Sequence, residues 1–420
     1  MNKVLAILKK PTIVYIIVNI LISSLGFIRS FIFMRWLGME ELGLISLAQT
    51  VMQFISLFQI GLINGGYRLF SLNKLDDQQK VNNTLFTFFT VLTSVFLFAW
   101  CIIGTSGSKI IMENDLLLIS IICGVLMLTN NWLNNTLIGK QKLSEINCIN
   151  IVAGLLSLFC MVSVIFVGFW GAVFSIAVQP LVFVALTLIR NKDLRPTAFY
   201  FDFKLIKYIL SFGFIPFLSG IFVMINLQIE RWSIATYLGT EALGCFYLVF
   251  LFNSLYLLVP SSIQNIFFPR AVKAYDQGEM SNFCDIIKKQ TLAMIVYDVI
   301  VIVLTILLLG EVVAILFPKH VDNVKYVYYY LPGLLAMSFV EVTGLVLNAT
   351  VRLKPILIGG LISFLSYVII VPILISTHTM NLTAMSIQKS IALFLPFMIQ
   401  LTFILLNWKS IKKGYNKKTS

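Results

Sequence analysis

Five charged side chains, Arg29, Glu230, Arg231, Asp298 and Glu341, stand inside long stretches of otherwise uncharged sequence. A lone charge at the centre of a lipid-embedded helix costs about 3 kcal/mol, so each needs a partner or a water-filled cavity. The arginines offer anion binding, because a guanidinium grips phosphate or carboxylate through two parallel hydrogen bonds. The competing expectation is a structural ion pair of Glu230 with Arg231 or Arg29. Asp298 and Glu341 each lie roughly 12–14 Å from the inner end of their helix at about 1.5 Å per residue, so adjacent antiparallel helices would present two carboxylates at one level. No basic residue in the sequence shares that depth. Such groups must be protonated, share a proton or bind a cation. Asp298, Glu341 and Glu230 are therefore the candidates for coupling to H⁺ or Na⁺, and a hydrogen bond to a neighbouring Ser, Thr or Tyr is the alternative for the first two.

Neutral amides form a second group. Asn130, Asn131, Asn134 and Asn135 make two i,i+4 pairs on one helix face, and Asn64 and Asn265 occupy matching places in the two halves of the chain. Amides donate and accept without the desolvation cost of a charge, which suits hydroxyl-rich ligands, though they also join helices to one another. Arg68 and Arg270 stand at matching inner ends, placed to meet an anionic group or lipid headgroups. The run Tyr326, Tyr328, Tyr329 and Tyr330 reads as an interfacial belt. Six cysteines without CxxC spacing and two distant histidines, His320 and His378, give no metal site and no Cys/His nucleophile.

The elements that must carry these groups are membrane helices. Of 420 residues, 59% are apolar and 12% charged, with mean hydropathy +0.94, far from the composition of a soluble domain. Charge-free stretches predict twelve spans near residues 12–34, 42–63, 83–104, 116–138, 146–167, 170–189, 208–236, 242–263, 290–310, 326–350, 356–376 and 386–407. The uncharged stretch 146–189 is too long for one span, and Gly168-Phe169-Trp170-Gly171 supplies the turn that divides it. With the N-terminus inside, 24 of the 31 Lys and Arg fall in cytosolic segments, which sets both termini in the cytoplasm. Lys389 is counted with the external loops. The net charge of +13 is thus a topology signal. The opening MNKVLAILKK reads as an amphipathic segment on the inner leaflet.

An internal repeat organises the spans. Leu37-Gly38-Met39-Glu40-Glu41-Leu42-Gly43 recurs 201 residues later as Leu238-Gly239-Thr240-Glu241-Ala242-Leu243-Gly244, each after the first span of a half. The same offset places Arg29 opposite Glu230. Two parallel six-helix lobes, residues 1–195 and 196–420, follow, with rocking of one against the other as their motion.

The segment from Arg35-Trp36-Leu37-Gly38 through Leu47-Ala48-Gln49 resembles the R-Y-L-G-P-E-E-Y-G-L-Y-S-L-A pattern of Wzx-type O-antigen flippases, polysaccharide transporters of the multidrug/oligosaccharidyl-lipid/polysaccharide exporter superfamily. Gln228-Ile229-Glu230-Arg231-Trp232 before Leu238-Gly239 resembles their Q-x-D-R-F…L-G element. Met39 replaces the usual Pro, and Glu230 the usual Asp. The resemblance implies an all-α integral membrane protein of twelve transmembrane helices in two pseudo-symmetric, MATE-like lobes. It implies outward flipping of a polyprenyl-diphosphate-linked oligosaccharide at the cell inner membrane, in contact with membrane lipids and other polysaccharide-assembly membrane proteins, and no role with nucleic acid. Arg29, Arg231, Arg68, Arg270, Asn64, Asn265, Asn130 and Asn134 would then face the substrate. No cofactor is expected, and the absence of GxxxxGK[ST] leaves an ion gradient or downstream consumption of product as the energy source. A drug/cation antiporter of the same superfamily is the nearest rival, and a membrane glycosyltransferase or polymerase the rival among enzymes.

Overall fold

The computed structural model describes residues 11–71, 78–105 and 112–416; the expected amphipathic N-terminal segment lies outside them. Among the described residues the chain is helical and strand-free. Its helices are α1 (Pro11–Trp36), α2 (Met39–Leu57), α3 (Leu62–Ser71), α4 (Gln78–Thr105), α5 (Asn114–Gly139), α6 (Leu143–Val167), α7 (Phe169–Arg190), α8 (Phe203–Tyr237), α9 (Thr240–Cys245), α10 (Tyr247–Asp276), α11 (Met280–Leu316), α12 (Val324–Ala349), α13 (Lys354–Ser376) and α14 (Leu382–Asn416). Nine stretches among the described residues are long and apolar enough to cross a membrane. With α1, α2 and α8 they make the twelve expected spans, α3 and α9 being short continuations of the second and eighth.

Each predicted break has a local cause. Gly168 turns the chain between α6 and α7 at φ +61°, and Gly171 lies so close to Ser163 that a Cβ would stand 2.6 Å from its carbonyl oxygen. Both copies of the repeat motif start a helix. In the first, the Glu41 carboxylate reaches back to accept from the Gly38 amide at 2.7 Å, satisfying one of the free donors at the start of α2. In the second, Ala242 stands where Glu41 does, and Gly239 enters α9 at φ +92°. Between α2 and α3 the chain unwinds through Ile60 and Gly61, both at positive φ.

The chain divides into two compact units, Met1–Ile221 and Phe222–Ser420. In the first, α1 packs on α6, α2 and α4 on α5, α5 on α7, and α6 on α7. In the second, Asn226 of α8 donates to the Gly360 carbonyl of α13, α10 and α11 pack on α12, α12 on α14, and α13 on α14. Four pairings recur at equivalent spans of the two units, second with fourth, third with fourth, fourth with sixth and fifth with sixth, while among the described residues the packing of α10 on α11 is extensive in the second unit alone. The core of the first unit gathers Leu62, Leu69, Leu85, Trp132, Leu133, Ile146, Phe183 and Ile209. The second has a core where the end of α10 meets the start of α11, around Ala271, Phe283, Leu345 and Ile411.

The first half of α8 belongs to the first unit for a steric reason. Glycines on α3 and α8 bring the two backbones into contact: a Cβ on Gly213 would meet the Gly61 carbonyl oxygen at 1.9 Å, and one on Gly65 the Ile209 carbonyl oxygen at 2.1 Å. Close approach through small residues is how helices gain contact area where no hydrophobic effect drives them together. The linker before α8 is tied to the start of α4. Asn82 donates to the Asp193 carbonyl at 2.8 Å, and Lys80 pairs with Asp202 at 2.7 Å while the Leu205 amide donates to the same carboxylate at 3.0 Å. The Lys80 hydrogen bond, and after it the Leu205 amide, holds the Asp202 carboxyl below its ordinary range.

Candidate functional site

In the second unit, four helices converge on a cluster of charged and aromatic side chains. Glu230 of α8 is fully buried, and its carboxylate accepts from Lys389 of α14, itself only 3% exposed. Lys389 thus lies inside a span rather than in the external loop expected. It sits in the second turn of α14, and its four-carbon stem carries the ammonium inward to the carboxylate. The ammonium also stands 5.3 Å from the centre of the Phe250 ring of α10 and 5.2 Å from that of Tyr330 of α12. Tyr330 donates to Asn253 Oδ1 at 2.6 Å and is fully buried, so it belongs to this interior cluster, while Tyr328 and Tyr329 are exposed as an interfacial belt requires. Glu230 Oε1 has no hydrogen-bond partner among the described residues.

Arg231 follows Glu230 on α8 but meets a different surface. Its guanidinium carbon lies 4.5 Å from the centre of the Phe250 ring, a cation–π contact. It is partly exposed, and among the described residues no carboxylate lies within ion-pair distance of it. Phe250 thus faces two cations, one in direct contact with Glu230 and one beyond ion-pair distance of it.

Asp298 of α11 is the second buried carboxylate of this unit, 5% exposed. Tyr256 of α10 donates to one oxygen at 2.5 Å and Ser338 of α12 to the other at 2.6 Å, the arrangement expected if hydroxyls rather than a counter-ion satisfy it. Tyr297, beside it, donates to the Tyr256 carbonyl at 2.7 Å. Glu341 lies on α12 three residues beyond Ser338, partly buried, and has no hydrogen-bond or ion-pair partner among the described residues. The opposite face of α11, with Leu292, Val296, Val299, Val303 and Leu307, is exposed apolar surface suited to lipid.

The remaining sequence candidates are spread over both units. Arg29 is partly buried on α1, Asn64 partly buried on α3, and Asn130 and Asn134 partly buried on α5, where Asn134 Oδ1 lacks a donor. Arg68 falls on α3, and its side chain lies outside the described residues. Asn265 and Arg270 are exposed near the C-terminal end of α10. Several other amides join helices: Gln290 donates to Gln264 at 2.6 Å, and Thr343 to Gln400 at 2.7 Å. Sequence reasoning missed Lys389, Phe250, Tyr256 and Ser338. The signal for Lys389 was its position inside the 386–407 span; the others are common residues in apolar helices and carry none.

The fold built around these groups is shared with membrane transporters. The chain superimposes with TM-score 0.74 and 16% identity on a multidrug resistance MATE family transporter of the MOP superfamily in an inward-facing conformation, covering 96% of this chain and 99% of that one. With the lipid II flippase MurJ in an inward closed conformation the TM-score is 0.73 and the identity 15%, over 96% and 90% of the two chains. A MATE structure in the bent conformation gives 0.60 and 14%, over 97% of each. No curated protein matches the chain in sequence. The family model described as polysaccharide biosynthesis protein matches residues 8–275, well over half of the chain, which therefore belongs to that family.

Proposed function

We propose that the chain is a flippase that carries a polyprenyl-diphosphate-linked oligosaccharide, a repeat unit of O-antigen, capsule or exopolysaccharide, from the inner to the outer leaflet of a bacterial inner membrane. Membership of a polysaccharide biosynthesis family and a fold shared with exporters support this reading. The observation that carries it is the division of charge at Glu230, Lys389 and Arg231. The only carboxylate of the three is already matched by the buried lysine, so the local surplus is one positive charge, on Arg231, a half-buried residue with no carboxylate within ion-pair distance among the described residues. A surplus cation suits an anionic cargo such as a diphosphate or an acidic sugar. A drug/cation antiporter needs the reverse, an accessible carboxylate; Glu230 and Asp298 are buried and engaged, which leaves that role to the half-buried Glu341 alone among the three carboxylates singled out within the spans.

In this reading the lobes, residues 1–195 and 196–420, rock to expose the sugar-binding surface to either side while the lipid tail stays in the bilayer. Arg29 and Arg231 meet the anionic part of the cargo, and Asn64, Asn130, Asn134 and Asn265 its hydroxyls. Arg68 and Arg270 receive the diphosphate at the cytosolic entrance, and both termini are cytoplasmic. The chain makes and breaks no bond in the cargo. Nothing in it binds ATP through a phosphate loop, so a gradient or downstream consumption supplies the energy.

The test is complementation of a gene deletion with Arg231→Ala at wild-type abundance. A charge-assisted hydrogen bond is worth about 1.5–3 kcal/mol, or roughly 10- to 100-fold, so surface glycan should fall at least about tenfold while complete lipid-linked units accumulate on the cytosolic leaflet. Unchanged surface glycan removes Arg231 from the cargo site. Loss of the lipid-linked units themselves in the deletion strain would assign the chain to synthesis.

A further inference from the structure

Everything that touches the Lys389 ammonium favours positive charge. It meets a Glu230 carboxylate oxygen and the rings of Phe250 and Tyr330, and a carboxylate with two aromatic faces is a ligand set for a small monovalent cation. The second carboxylate oxygen, Glu230 Oε1, is buried without a partner among the described residues, so the ammonium engages the carboxylate through one oxygen and the other stays an unmet, costly acceptor. The other charged or titratable groups close by are Arg231 on α8, Tyr330 on α12 and Tyr367 on α13.

We propose that Lys389 is a tethered cation: its ammonium fills a monovalent-cation site whose anionic ligand is Glu230. The intact chain then neither requires nor exchanges a free cation there, and removing the ammonium opens the site to one. If the protein transports by cation exchange, the exchange runs through other groups. The inference concerns the ion balance of the second unit and stands apart from the identity of the cargo.

The experiment compares the thermal stability of the purified chain in sodium, ammonium and choline chloride at equal ionic strength. The wild-type midpoint should be the same in all three within about 1 °C, whereas Lys389→Ala should be raised by about 2 °C or more in sodium or ammonium over choline. Glu230→Gln/Lys389→Ala, which lacks the anionic ligand, should again be indifferent, and Lys389→Arg, which keeps a tethered cation, should behave as wild type. A Lys389→Ala chain that folds in sodium or ammonium but not in choline supports the proposal equally. The proposal is overturned if Lys389→Ala responds no more than the double variant, or if it folds in none of the salts while the double variant folds in all. A cation-dependent rise in the wild type that Glu230→Gln abolishes overturns it as well.

Discussion

At the scale of single residues, the account turns on which buried charges are matched. Removing one partner of a buried pair strands the other, at about 3–5 kcal/mol, whereas removing both is often nearly neutral. Glu230→Gln and Lys389→Met should therefore each lower thermal stability strongly in choline, and Glu230→Gln/Lys389→Met should recover most of the loss. Equal, additive losses would show that the two side chains are not energetically coupled. Asp298 is satisfied by hydroxyls, so Tyr256→Phe should cost about 1.5–3 kcal/mol in stability, with Tyr297→Phe, which loses only a bond to a backbone carbonyl, costing less. The sequence made the five charges within spans legible because charge is rare there. It did not reveal their partners. Lys389 stands near a helix end, where basic residues ordinarily mark topology, and Tyr256, Ser338 and Phe250 are ordinary residues until the helices bring them to Asp298 and Lys389.

Elements follow the same division between what local chemistry states and what only packing creates. The turn at Gly168 and the helix starts after Gly38 and Gly239 were legible because each rests on neighbours in sequence. The contact of α3 with α8 was not, since Gly61 and Gly65 lie about 150 residues from Gly213 and glycine is common in membrane helices. Gly213→Ala places a Cβ against backbone and should destabilise the chain by about 1–3 kcal/mol. Gly310→Ala on α11, which meets nothing within 4 Å, should be neutral or slightly stabilising. A neutral Gly213→Ala would show that the two backbones do not meet. The Asp202 link between α4 and α8 predicts a pH response. Its carboxyl is held below the ordinary value, so its contribution is complete above the ordinary carboxylate value near about 4 and is lost as pH falls through the lower, folded one. Amide exchange in the first turn of α8 should accelerate only in that acid window, and Asp202→Asn should remove the dependence. Acceleration that begins near neutrality would point to another group.

For the whole molecule, composition and charge bias carried most of the architecture. A bilayer leaves helices as the one open-chain solution, and the 201-residue repeat pointed to two six-helix halves, between which four helix pairings recur at equivalent spans. What the sequence held back was the charge balance inside the second unit, which depends on four helices meeting. In the proposed function that balance favours an anionic cargo over a cationic one. The most direct test is transport by the purified chain in proteoliposomes carrying a polyprenyl-diphosphate-linked oligosaccharide, with the glycan on the outer face read by an impermeant glycosidase or lectin. Wild-type protein should convert the protected, inner-leaflet fraction to an accessible one, and Arg231→Ala should slow this at least about tenfold. An accessible fraction that stays the same with and without the protein, or cationic drug efflux in its place, would contradict the account.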